Sequence, residues 1–477
     1  MKALTIRLLF IFALAGATLV QAQSVYSSHT SSRREGEKIT YKTSNGMSSF
    51  NVEMRGKIEL TDDDKDIKSM SSDGYLEVTK VVFGSKRTIV ISQESSGLKR
   101  EYYEGRTSMP FEPEGRKWMG EIMPELVSTT TIGAESRVAR FFKQGGTNNV
   151  LNQIASMESD YVKHHYANLL MGLTSNAKEY PAIVNKISET IESDYYLSEF
   201  LRNNLTKFLT SREATDAVFA ATKTIESDHY KTEVIKEALR SQAASPDAIK
   251  SILAASSQMD SDHYKTEVLV ALMKQANLTD ATVSEMINAS KSIDSDHYKT
   301  VVLTKALSKQ GLSATSYQRV LESVKDIDSD HYKTEVLTHL LKNKLPSDQI
   351  FNLVDLSNNI DSDHYLTIVY TTVMKNQDLS DESFKALIER AGNVDSDHYA
   401  STILKSALTL PNINDSKVMS ILNAAGNIGS DHYITDVLVS AAPKVKSGST
   451  ALKDAYRSTA KRISSETYYG RALRAIE

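Results

Sequence analysis

The sequence predicts a mostly α protein, an α-solenoid of about ten 34-residue helical-hairpin repeats behind a small antiparallel β-domain. Three observations lead there. A six-residue word, Ile-x-Ser-Asp-His-Tyr, returns through most of the chain, its Asp position falling at Asp160, Asp194, Asp228, Asp262, Asp296, Asp330, Asp363, Asp397, Asp431 and Glu466. Those positions are 34, 34, 34, 34, 34, 33, 34, 34 and 35 residues apart, a period that marks stacked supersecondary units. Upstream of the first word, short alternating runs of β-branched and aromatic residues are bounded by turn residues, as in an antiparallel meander.

The elements follow in chain order. Lys2 and Arg7 precede an apolar run from Leu8 to Val20, and Val20-Gln21-Ala22 offers a cleavage site after Ala22. Residues 1–22 therefore read as a secretory signal peptide, and the protein is expected to be exported, periplasmic or secreted. No Cys follows the cut to carry a lipid, and no later run approaches the roughly 20 apolar residues of a membrane span. Residues 23–37 are Ser-rich and polar, and read as a flexible lead-in. Residues 38–112 form the β-domain, with roughly five to seven strands drawn from segments such as 50–54, 75–78 and 88–91. The turns between them hold Asn45-Gly46, Asp73-Gly74, Gly84 and Ser96-Gly97. Residues 113–133 read as a junction helix that starts at Pro113-Glu114, carries Trp118, Met119, Ile122, Met123 and Leu126 on one face, and is kinked by Pro124.

From 134 to 477 each unit is two helices. In the unit beginning at Ser227, Ser227 stands as N-cap, Asp228 lies at the positive helix end, and Tyr230, Val234, Ile235, Ala238 and Leu239 share a face. A break at Ala243-Ala244 leads to Ser245-Pro246-Asp247 and a second helix carrying Ile249, Ile252 and Leu253. The same second start recurs at Thr279-Asp280, Ser347-Asp348 and Ser380-Asp381. Neither helix can bury its stripe alone, so units must stack. The closing stretch from Ser464 to Glu477 reads as a single terminal helix.

The unit length is that of tetratricopeptide arrays, but their Trp, Leu-Gly and closing Pro are missing in register, so a HEAT-like hairpin array is the better label. A second resemblance rests on Tyr102-Tyr103-Glu104-Gly105 through Pro110-Phe111, Trp118, Pro124-Glu125-Leu126, residues Ile132 to Arg140, and Ser159-Asp160-Tyr161-Val162-Lys163. This stretch resembles an uncharacterised bacterial extracytoplasmic family in which a small β-region precedes helical repeats. Similar modules are found behind membrane regulatory metallopeptidases of the antirepressor kind. The likeness covers most of the chain after the signal and implies architecture without activity. The sequence has no His-Glu-x-x-His, so a peptidase role does not carry over.

Composition narrows function. Lys+Arg 56 against Asp+Glu 60 gives a formal charge of −4, no basis for a nucleic-acid partner, and zero Cys excludes thiolate zinc sites, disulfides and thiol nucleophiles. No P-loop, G-x-S-x-G or dinucleotide fingerprint is present, so the chain reads as no enzyme, with no catalytic residue, no cofactor and no metal site. The acidic run Asp62-Asp63-Asp64-Lys65-Asp66 lacks the Gly and Glu of a calcium loop and reads as a solvated turn, and His164-His165 lacks further zinc ligands.

The candidate binding residues are two rows: His229, His263, His297, His331, His364, His398 and His432, and Lys231, Lys265, Lys299 and Lys333. The His slot holds Tyr161 and Tyr195 in the earliest units and Thr467 in the last, so it selects an amphipathic ring more than a metal ligand. The lysines read as a solvated row or a ligand stripe. Their replacement by Leu366, Ala400 and Ile434 hints that the C-terminal part of the array faces something different. The reading that follows is a non-catalytic scaffold for a protein or peptide, with no permanent membrane insertion. Three alternatives stay open: an envelope or polysaccharide hydrolase whose site forms only in three dimensions, divalent-metal binding along the ladder, and pH sensing by it.

Overall fold

The computed structural model describes residues 29–35, 38–44, 47–241, 244–276, 278–411 and 413–477, with the backbone alone for 29–35. The signal peptide and its cut after Ala22 lie outside these residues, as do the Asn45-Gly46 turn and Ala243. Among the described residues the chain is mostly helical (65%), with 22 α-helices following an antiparallel β-region, an arrangement consistent with a helical-repeat array. It divides into two compact units, Met1–Leu173 and Thr174–Glu477, later than the 133/134 boundary read from sequence.

In the first unit seven strands make one antiparallel sheet. Its order is β1 (His29–Glu35), β2 (Lys38–Ser44), β3 (Ser48–Arg55), β6 (Tyr75–Val82), β7 (Ser85–Glu94), β8 (Gly97–Glu104) and β9 (Thr107–Met109). A separate hairpin, β4 (Ile58–Leu60) with β5 (Ile67–Met70), frames the acidic run. Two expectations change here. Part of the supposed flexible lead-in is strand β1, because every residue from His29 to Glu35 pairs with β2. Among the described residues 38–112 hold eight strands, β2 to β9, in place of five to seven, since β9 and the short hairpin carry too little alternation to be read.

Helix α1 (Arg116–Thr129) buries Trp118, Met119, Ile122, Met123 and Leu126, the face expected of it, and runs continuously through Pro124. A helical turn, Phe111–Gly115, leads directly into it; only Glu112 there is extended, at φ −98 and ψ 131, so helical backbone runs from Pro113, the start expected from sequence. These side chains share one core with Val52, Leu76, Val78, Ile89 and Ile91, so α1 closes the β-core and is not a separate junction. Helix α2 (Ala134–Ala155) is broken at Gly145-Gly146, where Gly146 sits at φ +65, and α3 (Asp160–Leu173) completes the unit.

The acidic run is a turn in which Asp62, Asp63 and Lys65 are exposed, as expected, but Asp64 and Asp66 are half-buried and paired. Asp64 accepts from Arg137 Nε at 3.1 Å and Arg140 at 2.7 Å, and Asp66 accepts from Arg116 at 2.7 Å. Arg137 also donates to the Tyr166 hydroxyl. The loop uses its carboxylates to tie the β4–β5 hairpin to the helices, which leaves two of its acids already neutralised. Sequence could not show this, because the partners lie 50 to 76 residues away.

The second unit opens with α4 (Tyr180–Thr190). After it, helices that start with the repeated word alternate with second helices. The former are α5 (Asp194–Asn203), α8 (Asp228–Ser241), α10 (Asp262–Met273), α12 (Asp296–Leu307), α14 (Asp330–Leu340), α16 (Asp363–Asn376), α18 (Asp397–Leu408), α20 (Asp431–Ser447) and α22 (Glu466–Ile476). The latter are α7 (Arg212–Ala221), α9 (Pro246–Ser257), α11 (Asp280–Ala289), α13 (Ala314–Val324), α15 (Ser347–Leu356), α17 (Asp381–Ala391), α19 (Asp415–Ala425) and α21 (Thr450–Ala460), with a short α6 (Leu205–Phe208) after α5. From α8 onward each first helix packs on the next first helix, and from α7 onward each second helix packs on the next second helix. Val234, Ile235, Ala238 and Leu239 are buried as their spacing predicts, whereas Tyr230 is only half-buried.

Candidate functional site

The repeated word folds the same way in each unit of the second half, and its residues divide by direction. The Asp reaches forward into the next unit. Asp228 accepts from the backbone N–H of Asp260 at 2.9 Å and of Ser261 at 2.8 Å, and Asp262 accepts from Asp294 at 3.1 Å and Ser295 at 2.8 Å. Asp194, Asp296, Asp330, Asp363, Asp397 and Asp431 clamp the same loop of their successors. The Ser before each Asp has the extended backbone of an N-cap, yet at Ser261, Ser295, Ser329, Ser362, Ser396 and Ser430 the hydroxyl makes no cap bond. What those serines supply is backbone: an N–H for the preceding unit's Asp, except at Ser430, and a C=O for the first turn of their own helix.

Second helices are tied as well. Ser245, Thr279 and Ser380 cap theirs through the hydroxyl, but Ser347 lies inside the first turn of α15, behind Pro346. Asp280 accepts from Ser313 N–H at 3.0 Å and Ser316 Oγ at 2.6 Å. Burial raises the pKa of that carboxyl, but the bonds from Ser313 and Ser316 outweigh it and hold it below its ordinary value.

The lysine row does not lie at the surface. Lys231 and Lys299 are each only 3% exposed, and Lys265 and Lys333 are largely covered. Three of them donate to carbonyls just past the second helix of their own unit: Lys265 to Ser292 at 2.8 Å, Lys299 to Asp326 at 3.0 Å, Lys333 to Asn359 at 2.8 Å. A cation at the negative end of a helix is stabilising, and a long apolar stem fills the space between helices. These four are therefore corrected from a solvated or ligand-facing stripe to internal ties. The later residues of the slot are covered too, Ala400 and Ile434 being buried, so their apolar character marks no change of outer surface.

His and Tyr stay outside. All seven histidines are exposed and the tyrosines that follow them half-buried. Within a unit the His and Tyr ring centroids are 5.0–5.3 Å apart. From each His to the next unit's Tyr the distance is 5.6–6.0 Å. Interplanar angles of 56–63° make every contact tilted or edge-on, the preferred geometry for aromatic pairs. The result is one unbroken ribbon of rings. It begins at Tyr196 and Tyr195, passes to Tyr230, and zigzags through His229, Tyr264, His263, Tyr298 and so on to His432 and Tyr468.

Tyr195 in the His slot keeps the contact to the next Tyr at 5.9 Å, as the sequence comparison of that slot anticipates. No group of three or more His, Asp or Glu side chains converges in metal-binding geometry among the described residues. His164 and His165 belong to α3 of the first unit, and burial lowers the pKa of both.

One row escaped the sequence reading. The variable residue of the word is an exposed acid in six successive units, Glu226, Asp260, Asp294, Asp328, Asp361 and Asp395, each three residues before a His. The signal was present as the x of Ile-x-Ser, hidden by its alternation between Glu and Asp.

No protein-family model matches this chain, and no curated protein matches it.

Proposed function

We propose that this protein is a non-catalytic, extracytoplasmic interaction scaffold, an α-solenoid that binds a protein or peptide along its repeat surface. One observation carries the reading. The Asp of each word and the Lys of the middle units are spent inward on joining helices, while the His and Tyr rings are left outside in a continuous ribbon. Exposed aromatic rings on a rigid frame give large contact area at low entropic cost, which suits an elongated partner touching several units at once. An acyl-transfer or hydrolytic role would need a nucleophile, base and oxyanion donors converging on one point, whereas the repeated side chains run in a line. No helix among the described residues is long and apolar enough to cross a membrane, in keeping with a chain that works outside the bilayer.

The test is affinity capture from a cell envelope with the full chain and with a variant carrying His263→Ala, His297→Ala and Tyr298→Ala. A partner retained by the first and lost by the second supports the reading. Capture that is indifferent to the rings, or no specific partner at all, refutes it.

A further inference from the structure

The ribbon's surroundings specify what it binds, given the scaffold reading above. Three residues before each ribbon His from His229 to His398 stands an exposed acid, Glu226, Asp260, Asp294, Asp328, Asp361 and Asp395, and among the described residues no Lys or Arg forms an ion pair with any of them. In four units the word's own lysine is covered, withdrawn from the row. At Glu226, Asp260, Asp294 and Asp328 the backbone N–H is held by the Asp of the preceding unit, so the carboxylates project from fixed points. A cationic side chain long enough to reach both rows would gain an ion pair at the carboxylate and a cation–π contact at an exposed ring.

Spacing then selects the shape of the partner. Packed helices lie about 8–10 Å apart, so one carboxylate and one ring pair recur at about that interval. A polyproline II helix has three residues per turn and a rise of about 3.1 Å per residue, which returns a side chain to the same side every ~9 Å. Its stiffness lowers the entropy lost on binding, and aromatic-lined surfaces are the usual docking sites for such segments. Each single contact is weak, since exposed ion pairs contribute little, but successive contacts on one rigid ligand act together. We propose that the ring ribbon binds a polyproline II segment carrying Lys or Arg at every third position.

Fluorescence anisotropy with the full-length protein tests this with three synthetic peptides: six repeats of Pro-Pro-Lys, six repeats of Pro-Pro-Pro-Lys, and six repeats of Pro-Pro-Glu. The three-residue lysine peptide should bind at least tenfold tighter than the four-residue one, which carries the same charge out of register, and the Glu peptide should not bind. Replacing Asp260, Asp294 and Asp328 together by Asn should weaken the first peptide at least tenfold. None of the three side chains makes a clamp, and circular dichroism should show an unchanged fold. Equal affinity for both lysine periods, or no effect of the triple variant, would reduce the binding to bulk electrostatics and overturn the proposal. If no peptide binds but a protein partner is still lost with the ring variant, the ligand assignment is wrong and the scaffold reading stands. If both fail, both fall.

Discussion

Removing a single forward clamp should loosen one joint of the array. Asp262 accepts from the backbone N–H groups of Asp294 and Ser295 at 3.1 and 2.8 Å, and its side chain is 19% exposed. A hydrogen bond to a charged group contributes about 1.5–3 kcal/mol, and a donor left without partner in a covered place adds to the loss. Asp294 is exposed and Ser295 half-buried, so water recovers part of the deficit. Asp262→Ala should therefore cost about 2–4 kcal/mol at the joint between α10 and α12. Asp262→Asn keeps an acceptor without the charge and should cost roughly half as much. In a stacked array that cost falls on one interface, so hydrogen exchange of the amides of 294 and 295 is the right readout, with urea unfolding beside it. Protection there should fall by about 30-fold or more, at about 1.4 kcal/mol per factor of ten. Asp260→Ala, an exposed acid two residues away, serves as the control and should shift stability by no more than about 0.5 kcal/mol. Asp262 is no clamp if Asp262→Ala leaves both amides protected, or if the control does equal damage.

Three further outcomes follow from the same geometry. Lys299→Leu should stay within about 1 kcal/mol of wild type in urea unfolding, because Leu366 fills the equivalent slot, while Lys299→Ala should cost about 1–3 kcal/mol by opening space and leaving the Asp326 carbonyl unpaired; a larger loss for Leu than for Ala would contradict the buried-tie account. Phe83 and Gly84 join β6 to β7 at φ 47 and φ 82, a two-residue turn that favours Asn-Gly, and Phe83 is 80% exposed, so Phe83→Asn should raise stability by about 1 kcal/mol, and a lowered urea midpoint would refute the strain. Burial holds the pKa of His164 and His165 below 6.5, so the first unit has their full contribution above about pH 6.5 and loses it as pH falls through the lower folded values; hydrogen exchange of α3 between pH 8 and 5 reads this, and flat protection across that range contradicts it.

What could be read from the sequence was whatever local pattern determines. The period places the start of each first helix at its Asp, because the word is contiguous and a helix N-terminus is specified within a few residues. Trp118, Met119, Ile122, Met123 and Leu126 declare a buried face by spacing alone. Direction was harder. A Lys one turn into a helix reads as solvated on average, and only the neighbouring second helix, some 27 residues on in Lys265 and Lys299, reveals that its ammonium is taken by a carbonyl. Asp64 reads as a turn residue until Arg137 and Arg140 are brought to it by the fold. Strand β1 was lost because its pairing with β2, not its composition, makes it a strand.

The ring ribbon is the part of the word that folding explains least. The clamp needs a carboxylate, and eight successive units from Asp194 to Asp431 provide one aimed at the next loop. The Lys slot needs a covered residue whose size suits its own unit, and Ala400, Ile434 and Lys299 are all buried there. The His slot lies outside the core, and Tyr195 occupies it while 48% exposed. Tilted ring pairs contribute about 0.5–1.5 kcal/mol each, so the ribbon adds some stiffness between units, but a buried aliphatic contact would do the same without leaving rings in water. Seven exposed histidines on one line are therefore the ground on which a partner along that line is proposed. Their alternation with tyrosine at near-constant spacing means that neighbouring units offer it nearly the same contact. A ligand with matching period gains from each unit in turn, and one without it can satisfy only one or two.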